Sequence, residues 1–268
     1  MHADSKTKGL GIVVLSCDAY SDLWSIFFSQ LQKHWPETSD YNVYLACNEK
    51  SSGLAKVIDA KSGPDIDWST SLIKALEVVK EENVLMLIED AFFCEDVDHE
   101  RFLNMYEKFK EYEMDYFRLK NSPLPNIFTE QQFGQISPGQ LYRTALFSSI
   151  WKKTVLIDVI KPGETAWEFE LKGSDRSDKY LKFYSVYSDM FKIIHGVIKG
   201  MWVPSAINDL KKIGISFDVE RGILSRREVF LLTLVKLRGQ ILKLLPSVMR
   251  KKIRRFVYKN LLGKEWFS

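Results

Sequence analysis

Two short apolar runs bracket a helix-periodic stretch at the start of this chain, and that order limits the fold more than any other feature. Leu10 to Ser16 (LGIVVLS) is apolar and β-branched and reads as a buried strand of a parallel sheet. Cys17 to Tyr20 is a polar turn. Ser21 to His34 repeats Leu23, Phe27 and Leu31 at helical spacing, with Asp22 near its start and Pro36 closing it. Tyr41 to Cys47 (YNVYLAC) is a second strand that ends at Asn48. Strand, helix, strand is a βαβ unit, so the body is expected to be α/β.

The pattern continues with less regularity. Lys50 to Asp67 reads as a loop, Trp68 to Lys80 as an amphipathic helix, and Asn83 to Ile88 (NVLMLI) as a third strand. His99 to Tyr112 is a helix built on Phe102, Met105, Tyr106 and Phe109, and Tyr116 to Leu119 a short strand. Asn121 to Gly139, rich in proline and glycine, reads as an excursion. Leu141 to Ile150 is expected to return to the sheet and Trp151 to Ile160 to be a helix. Pro162 to Ser177 reads as a polar loop, and Phe183 to Trp202 as strand-like pieces.

Composition excludes several classes. With 46% hydrophobic and 13% aromatic residues over 268 positions, the chain can bury a substantial core. Cys17, Cys47 and Cys94 are too few and scattered for a disulfide framework or zinc cluster and read as reduced thiols. Met1 to Lys8 is polar and expected to be disordered, without the apolar core of a signal peptide. No run of 18 residues is free of charge, so no transmembrane helix is expected. The net charge of +3 conceals an asymmetry: Ser225 to Ser268 holds 12 Lys/Arg against 2 Asp/Glu, or +10, leaving 26 against 33, or −7, for the rest.

The most informative spot is VLMLIEDAFF, Val84 to Phe93. An apolar strand delivers Glu89 and Asp90 to its carboxyl end, where open α/β sheets bind ligands. Adjacent acids repel unless a positive group stands beside them. A hard divalent cation, Mg²⁺ or Mn²⁺, bridging a diphosphate is a natural partner. A solvated turn or helix cap is the competing explanation. No P-loop or GxGxxG signature appears.

The runs VVLSCDAYSDLWSIFF, DWSTSLIKAL, VLMLIEDAFF, SPGQLYRTALFSSIWKK and AWEFELKGS together resemble bacterial glycosyltransferases of the GT-A type, over roughly Gly9 to Trp202. Such enzymes serve capsule, lipopolysaccharide and other surface-polysaccharide pathways. The resemblance implies a single Rossmann-type mixed sheet flanked by helices, binding a nucleotide sugar (UDP- or another NDP-sugar) and a glycan or lipid-linked acceptor. Ser16 and Asp18 then lie in the turn that meets the nucleoside, and Asn48 at another base or ribose contact. Asp67, Trp68 and Ser69 open a helix whose N-terminus favours an anion or polar sugar group. The family's acidic motif is Asp-x-Asp; here Glu89-Asp90-Ala91 departs from it, which leaves dependence on Mn²⁺ or Mg²⁺ open.

Trp167-Glu168-Phe169-Glu170 alternates acids with aromatics. If extended, it turns both carboxylates to one side. An acid lined by aromatics has a raised pKa and suits a general base. The resemblance also implies a catalytic acid here; Glu168 is the first choice and Glu170 the reserve. His195 is a candidate metal ligand beside Asp90, and Lys199 a candidate diphosphate contact.

Val229 to Leu245 has helical periodicity, and beyond Pro246 five basic residues alternate with Met249, Ile253, Phe256, Val257 and Tyr258. A basic amphipathic tail with aromatics fits an anionic membrane surface. Packing on the body or on a partner subunit is the alternative. Nucleic acid is not an expected partner, since the body is acidic and lacks nucleic-acid motifs. The division expected is therefore a disordered 1–8, a GT-A-like domain 9–210 and a basic helical tail 211–268. The resemblance and the tail together imply a cytoplasmic glycosyltransferase, peripheral on the inner face of the membrane. The different-class alternative is a non-catalytic scaffold of the same fold, recruited to the membrane by its tail.

Overall fold

The computed structural model describes residues 9–215 and 221–231. The first half runs β1 (Leu10–Leu15), α1 (Ser21–His34), β2 (Val43–Cys47), β3 (Val57–Lys61), α2 (Trp68–Val78), β4 (Asn83–Ile88), β5 (Ala91–Phe93), α3 (His99–Glu111) and β6 (Tyr116–Arg118). The second half adds β7 (Ile127–Phe128), β8 (Phe133–Gln135), β9 (Ser149–Lys152) and α4 (Lys153–Val159). A continuous helical run follows, made of α5 (Ala166–Glu168), a wide π turn (Phe169–Gly173) and α6 (Ser174–Arg176). The described elements close with β10 (Phe183–Val186), β11 (Ile193–His195), β12 (Val197–Ile198), β13 (Met201–Trp202) and α7 (Pro204–Lys212).

The protein is α/β, with a nine-stranded mixed sheet ordered β3-β2-β1-β4-β9-β6-β10-β8-β7 between two helical layers. Every residue of β1 is buried because both faces are covered. Leu10, Ile12 and Val14 pack with α1 and α3, while Val13 and Leu15 pack with α2 and α4. At Gly11 a Cβ would stand 2.8 Å from the Glu81 carboxylate and 3.3 Å from the Tyr44 ring, so a side chain there would displace a neighbour of the central strand.

The order of strands places the functional edge. β2 and β3 lie on one side of β1 and β4 on the other, all parallel. The path from β3 through α2 to β4 reverses direction across β1, making a topological switch point between β1 and β4. Beyond β4 the sheet becomes mixed: β9 is antiparallel to β4 and β6, and β10 runs parallel to β6. The segments after β4, after β6 and before β9 therefore emerge on the same carboxyl edge.

Several expected loops carry structure. Lys50 to Asp67 contains β3, an edge strand in which only Ala60 is fully buried, so no alternation marks it. Asn121 to Gly139 contains β7 and β8, too short to show a period. The return to the sheet comes at β9, later than Leu141, and takes Trp151 from the expected helix. Pro162 to Ser177 is mainly helical because Thr165 and Glu168 form a capping box: the Glu168 N–H donates to Thr165 Oγ1 at 3.3 Å and the Thr165 N–H to Glu168 Oε2 at 3.1 Å.

Residues 222–224 pack back on the body. The Trp202 N–H donates to the Gly222 carbonyl at 2.8 Å, the Leu224 N–H donates to the Trp202 carbonyl at 2.9 Å, and Leu224 is buried. The remainder of the expected tail, and the expected disorder of 1–8, lie outside the described residues. Among the described residues no helix is long and apolar enough to cross a membrane.

Candidate active site at the carboxyl edge of the sheet

The loops leaving β1 and β2 are locked to each other. Asp18 accepts the backbone N–H groups of Asn48 (3.0 Å), Glu49 (2.9 Å) and Lys50 (2.9 Å), and its own N–H donates to Asn48 Oδ1 at 3.0 Å. Burial acts to raise the Asp18 carboxyl, but these three N–H groups outweigh it and hold it below the usual range. Asn48, itself buried, donates onward to Ser62 Oγ at 3.4 Å. Much of the hydrogen-bonding capacity of both side chains is thus used to shape the rim of the site.

The same holds at α2. Asp67 caps the helix, accepting Thr70 N–H (2.8 Å), Thr70 Oγ1–H (2.7 Å), Ser69 Oγ–H (2.6 Å) and the Gly163 N–H (3.1 Å). Led by the Ser69 hydroxyl, these bonds hold its carboxyl well below the ordinary value. Ser69 is fully buried and also accepts the Glu164 N–H at 3.0 Å. Trp68 packs its ring 5.7 Å from that of Phe169. These three residues fasten the 163–169 segment to α2.

Glu89 and Asp90 occupy the switch point. The Glu89 N–H reaches the Leu15 carbonyl at 3.4 Å, so the pair sits directly beside the end of β1. Burial pushes the Glu89 carboxyl up to about 8, and the Asp90 charge adds to the rise; the Ser16 hydroxyl and Arg221 oppose it. Burial likewise lifts Asp90 to about 6, with Arg221 opposing. Asp90 Oδ1 is buried without a hydrogen-bond partner among the described residues. Two adjacent carboxyls whose charged forms are penalised, one with an orphaned oxygen, make a site that gains from a positive or hydroxyl group. Ser16, which accepts the Trp24 indole N–H at 2.7 Å, stands beside them.

Arg221 supplies the nearby positive charge. It binds Asp22 in fork geometry (Nε to Oδ2 2.7 Å, Nη2 to Oδ1 2.6 Å), donates to the Ala19 carbonyl, and lies 4.2 Å over the Tyr20 ring. Sequence reasoning missed it, because its partners are nearly 200 residues away in the chain and no local pattern joins them.

The second acidic doublet is corrected. WEFE is helical, so Glu168 and Glu170 point in different directions. Glu168 is tied to Lys172 at 2.8 Å and to the Thr165 cap, and Lys172 first, then Thr165, keeps its carboxyl below the ordinary value. The expected raised acidity constant belongs instead to Glu170: burial lifts it to about 7, against the opposing charges of Arg118 and Lys120. Arg118 is buried and donates to Tyr116 Oη (3.0 Å) and to the carbonyls of Pro123 (3.1 Å), Tyr142 (2.5 Å) and Arg143 (2.8 Å). It therefore fixes the loop opposite Glu170 while its charge acts on the carboxyl.

His195 lies close to the acidic pair. Its backbone pairs with Ala91, and the Gly196 N–H donates to the Asp90 carbonyl at 2.8 Å. Its ring stands 5.7 Å from that of Phe147, edge to face. Lys199 is exposed in the turn between β12 and β13, where it and Gly200 both have positive φ (51° and 75°). Among the described residues no group of three or more His, Cys, Asp or Glu side chains is arranged to hold a metal ion.

A cleft of about 200 Å³ opens next to His195, lined by Lys120, Phe147, Asp189, Phe191 and Lys192. A larger hollow of about 520 Å³ lies at the opposite, amino edge, where Lys182 pairs with Glu113 at 2.6 Å and Lys179 with Asp158. Asp115, whose carboxyl burial also raises, lines this larger hollow.

No protein-family model matches the chain, and no curated protein matches it. Among solved structures, S. aureus TarS is similar with a TM-score of 0.48 at 12% identity, over 68% of this chain and 59% of that one. TarS in complex with UDP-GlcNAc gives 0.43 at 13% identity, over 76% and 65%. Mannosyl-3-phosphoglycerate synthase from Rubrobacter xylanophilus gives 0.37 at 11% identity, over 99% and 81%. The match thus spans 59% of TarS residues 1–349 and 38% of the longer TarS chain. Likeness of this degree carries no argument about activity or ligand.

Proposed function

We propose that this chain is a glycosyltransferase that moves a sugar from a nucleoside-diphosphate donor to a hydroxyl of a glycan or lipid-linked acceptor. One observation carries the reading. Glu89, buried, and Asp90, half-buried, are lifted to about 8 and about 6 and stand at the switch point between β1 and β4, where the buried Asp90 Oδ1 has no hydrogen-bond partner among the described residues. Nucleotides bind at such a point in open α/β sheets.

The proposal assigns the residues these roles. The rim held by Asp18 and Asn48 receives the nucleoside through backbone groups and Ser16. Arg221 faces the developing negative charge on the departing nucleoside diphosphate. Glu170, poised near neutrality, takes the acceptor hydroxyl proton as that oxygen bonds to the anomeric carbon and the bond from carbon to the diphosphate oxygen breaks. Asp90, with Glu89 beside it, fits a hard divalent cation, because its free oxygen is a carboxylate and both neighbours gain from positive charge. When bound, Mn²⁺ or Mg²⁺ supplies Lewis-acid stabilisation of the leaving group. His195, one strand residue away, is a further candidate ligand, and Lys199 a candidate diphosphate contact.

The basic tail would carry the enzyme to an anionic membrane surface and so to a lipid-linked acceptor of a bacterial surface polysaccharide. Its described start leaves Phe230 and Leu231 exposed (61% and 40%).

Calorimetric titration with UDP, GDP, CDP and dTDP, with and without Mn²⁺, tests the donor site. Selective binding of one nucleotide is expected; a folded protein that binds none of them overturns the proposal and favours a non-catalytic scaffold.

A further inference from the structure

The geometry points to an anionic acceptor: the cleft between Lys120, Lys192 and His195 receives a sugar that carries a phosphate or carboxylate group. This rests on the transferase reading and names the acceptor class for the same site.

Three observations support it. The first is location. His195 pairs through its backbone with Ala91, next to Asp90, and its ring meets Phe147 at 5.7 Å. The Lys120 ammonium stands 5.7 Å from the same Phe147 ring, and the charge of Lys120 is felt at Glu170. The cleft therefore opens beside the strand that follows Asp90, and Lys120 on its wall carries a charge that acts on Glu170.

The second is charge. Among the described residues neither Lys120 nor Lys192 forms an ion pair, although surface lysines elsewhere, such as Lys108, Lys172 and Lys182, do. Asp189 also lines the cleft, but its Oδ1 accepts the Asn121 N–H at 2.7 Å and so serves the loop. Glu170 faces Lys120 from the side of the helical run without reaching it as an ion pair. Two ammonium groups against the one Asp189 carboxylate leave the cleft lining net positive, which favours an anion.

The third is size and lining. About 200 Å³ is below the ~300 Å³ at which drug-sized ligands begin to fit, and suits one monosaccharide rather than an extended glycan. Phe147 and Phe191 give the ring an apolar wall, and the lysines fix its charged substituent.

The test uses three probes with one ring: glucose, glucuronic acid and glucose 6-phosphate. Ligand-observed NMR titrations would be run on the full chain and on the K120A/K192A double variant, with UDP titrated in parallel. The charged sugars are expected to bind at least ~10-fold tighter than glucose, in line with one charge-assisted contact, and to weaken as salt rises. The double variant should lose that preference while binding UDP as before, and K120R/K192R should keep it. The ranking of glucuronic acid against glucose 6-phosphate identifies which anion the cleft takes. Equal binding of all three sugars, or a preference that survives in K120A/K192A, overturns the inference and leaves the transferase reading intact. Failure of every nucleoside diphosphate to bind overturns the transferase reading itself, and the acceptor assignment falls with it.

Discussion

Glu89-Asp90 and Glu168/Glu170 are both acidic doublets, and the fold treats them in opposite ways. The first pair is delivered by the end of a strand, Glu89 buried and Asp90 half-buried, and burial raises both carboxyls. The second lies in a helical run, where residues two apart point roughly 200° from each other. One of its members is therefore lifted to about 7 and the other is held below its ordinary value by Lys172 and Thr165. A strand end concentrates carboxyl groups at one place, whereas a helix sorts neighbouring acids into different jobs. The chemistry proposed here needs both: a concentrated pair for the donor side and a single isolated base for the acceptor side.

The sharpest way to break that contrast is Glu170→Gln. It should lower kcat by about 10² to 10⁴-fold, the usual contribution of a general base, while UDP binds unchanged. In the parent enzyme, kcat/KM should rise with pH through an inflection near 7, because only the ionised carboxylate accepts the proton. The variant should lack that inflection. A variant that keeps both rate and profile would remove Glu170 from the mechanism.

Asp90→Asn comes next. It should lower kcat by roughly 10²-fold and weaken UDP binding in the presence of Mn²⁺, since stabilisation of the leaving group is worth several kcal/mol. If UDP binds equally with and without Mn²⁺ in both forms, Asp90 does not hold a cation.

Glu89→Gln probes the same pair through stability. The Glu89 carboxyl has an ordinary value of 4.5 and here rises to about 8. Below about 4.5 both folded and unfolded chains carry the proton. Between there and about 8 the unfolded chain releases it while the folded chain retains it, so stability falls as pH rises. The glutamine variant escapes that loss and should melt at a higher temperature than the parent at pH 8, by about 1–3 kcal/mol, with a smaller difference at pH 5. Thermal melts at the two pH values decide it; a difference independent of pH would mean that Glu89 does not titrate in this range.

The legibility of the sequence divides along the same line. Strands that are buried on both faces announce themselves: β1 and β4 are unbroken apolar runs, and the acids that follow β4 could be read directly from VLMLIEDAFF. β3 escaped because only Ala60 is fully buried in an edge strand, and β7 and β8 because two or three residues show no period. The helical run did carry a local signal, the Thr165-x-x-Glu168 capping box, which the aromatic alternation of WEFE obscured. Arg221 had none, since only the folded chain brings it to Asp22 and Tyr20. Elements set by local burial and capping were open to reading; contacts made by the return of a distant segment were not.

The smallest effect expected is also the one that tests the sorting most directly. Glu168 was the residue that sequence alone favoured as base, and the fold gives it another task. Its carboxylate closes the capping box with Thr165 and meets Lys172 at 2.8 Å, so it stays ionised and solvated. Such a group lacks both the burial and the near-neutral constant that a base requires. Glu168→Gln keeps the shape and much of the cap, and should cost about 0.5 kcal/mol in stability. Because the Glu168 carboxyl is held below its ordinary value, its stabilisation is present above about pH 4.5 and fades as the pH falls through the lower folded value. The parent and variant melts should therefore converge in acid. The rate should change by less than about threefold, the scale of a surface contact rather than of acid–base chemistry. A hundredfold loss of kcat in Glu168→Gln, with Glu170→Gln still active, would return the base to Glu168 and show that the helix does not sort the two acids as their environments indicate.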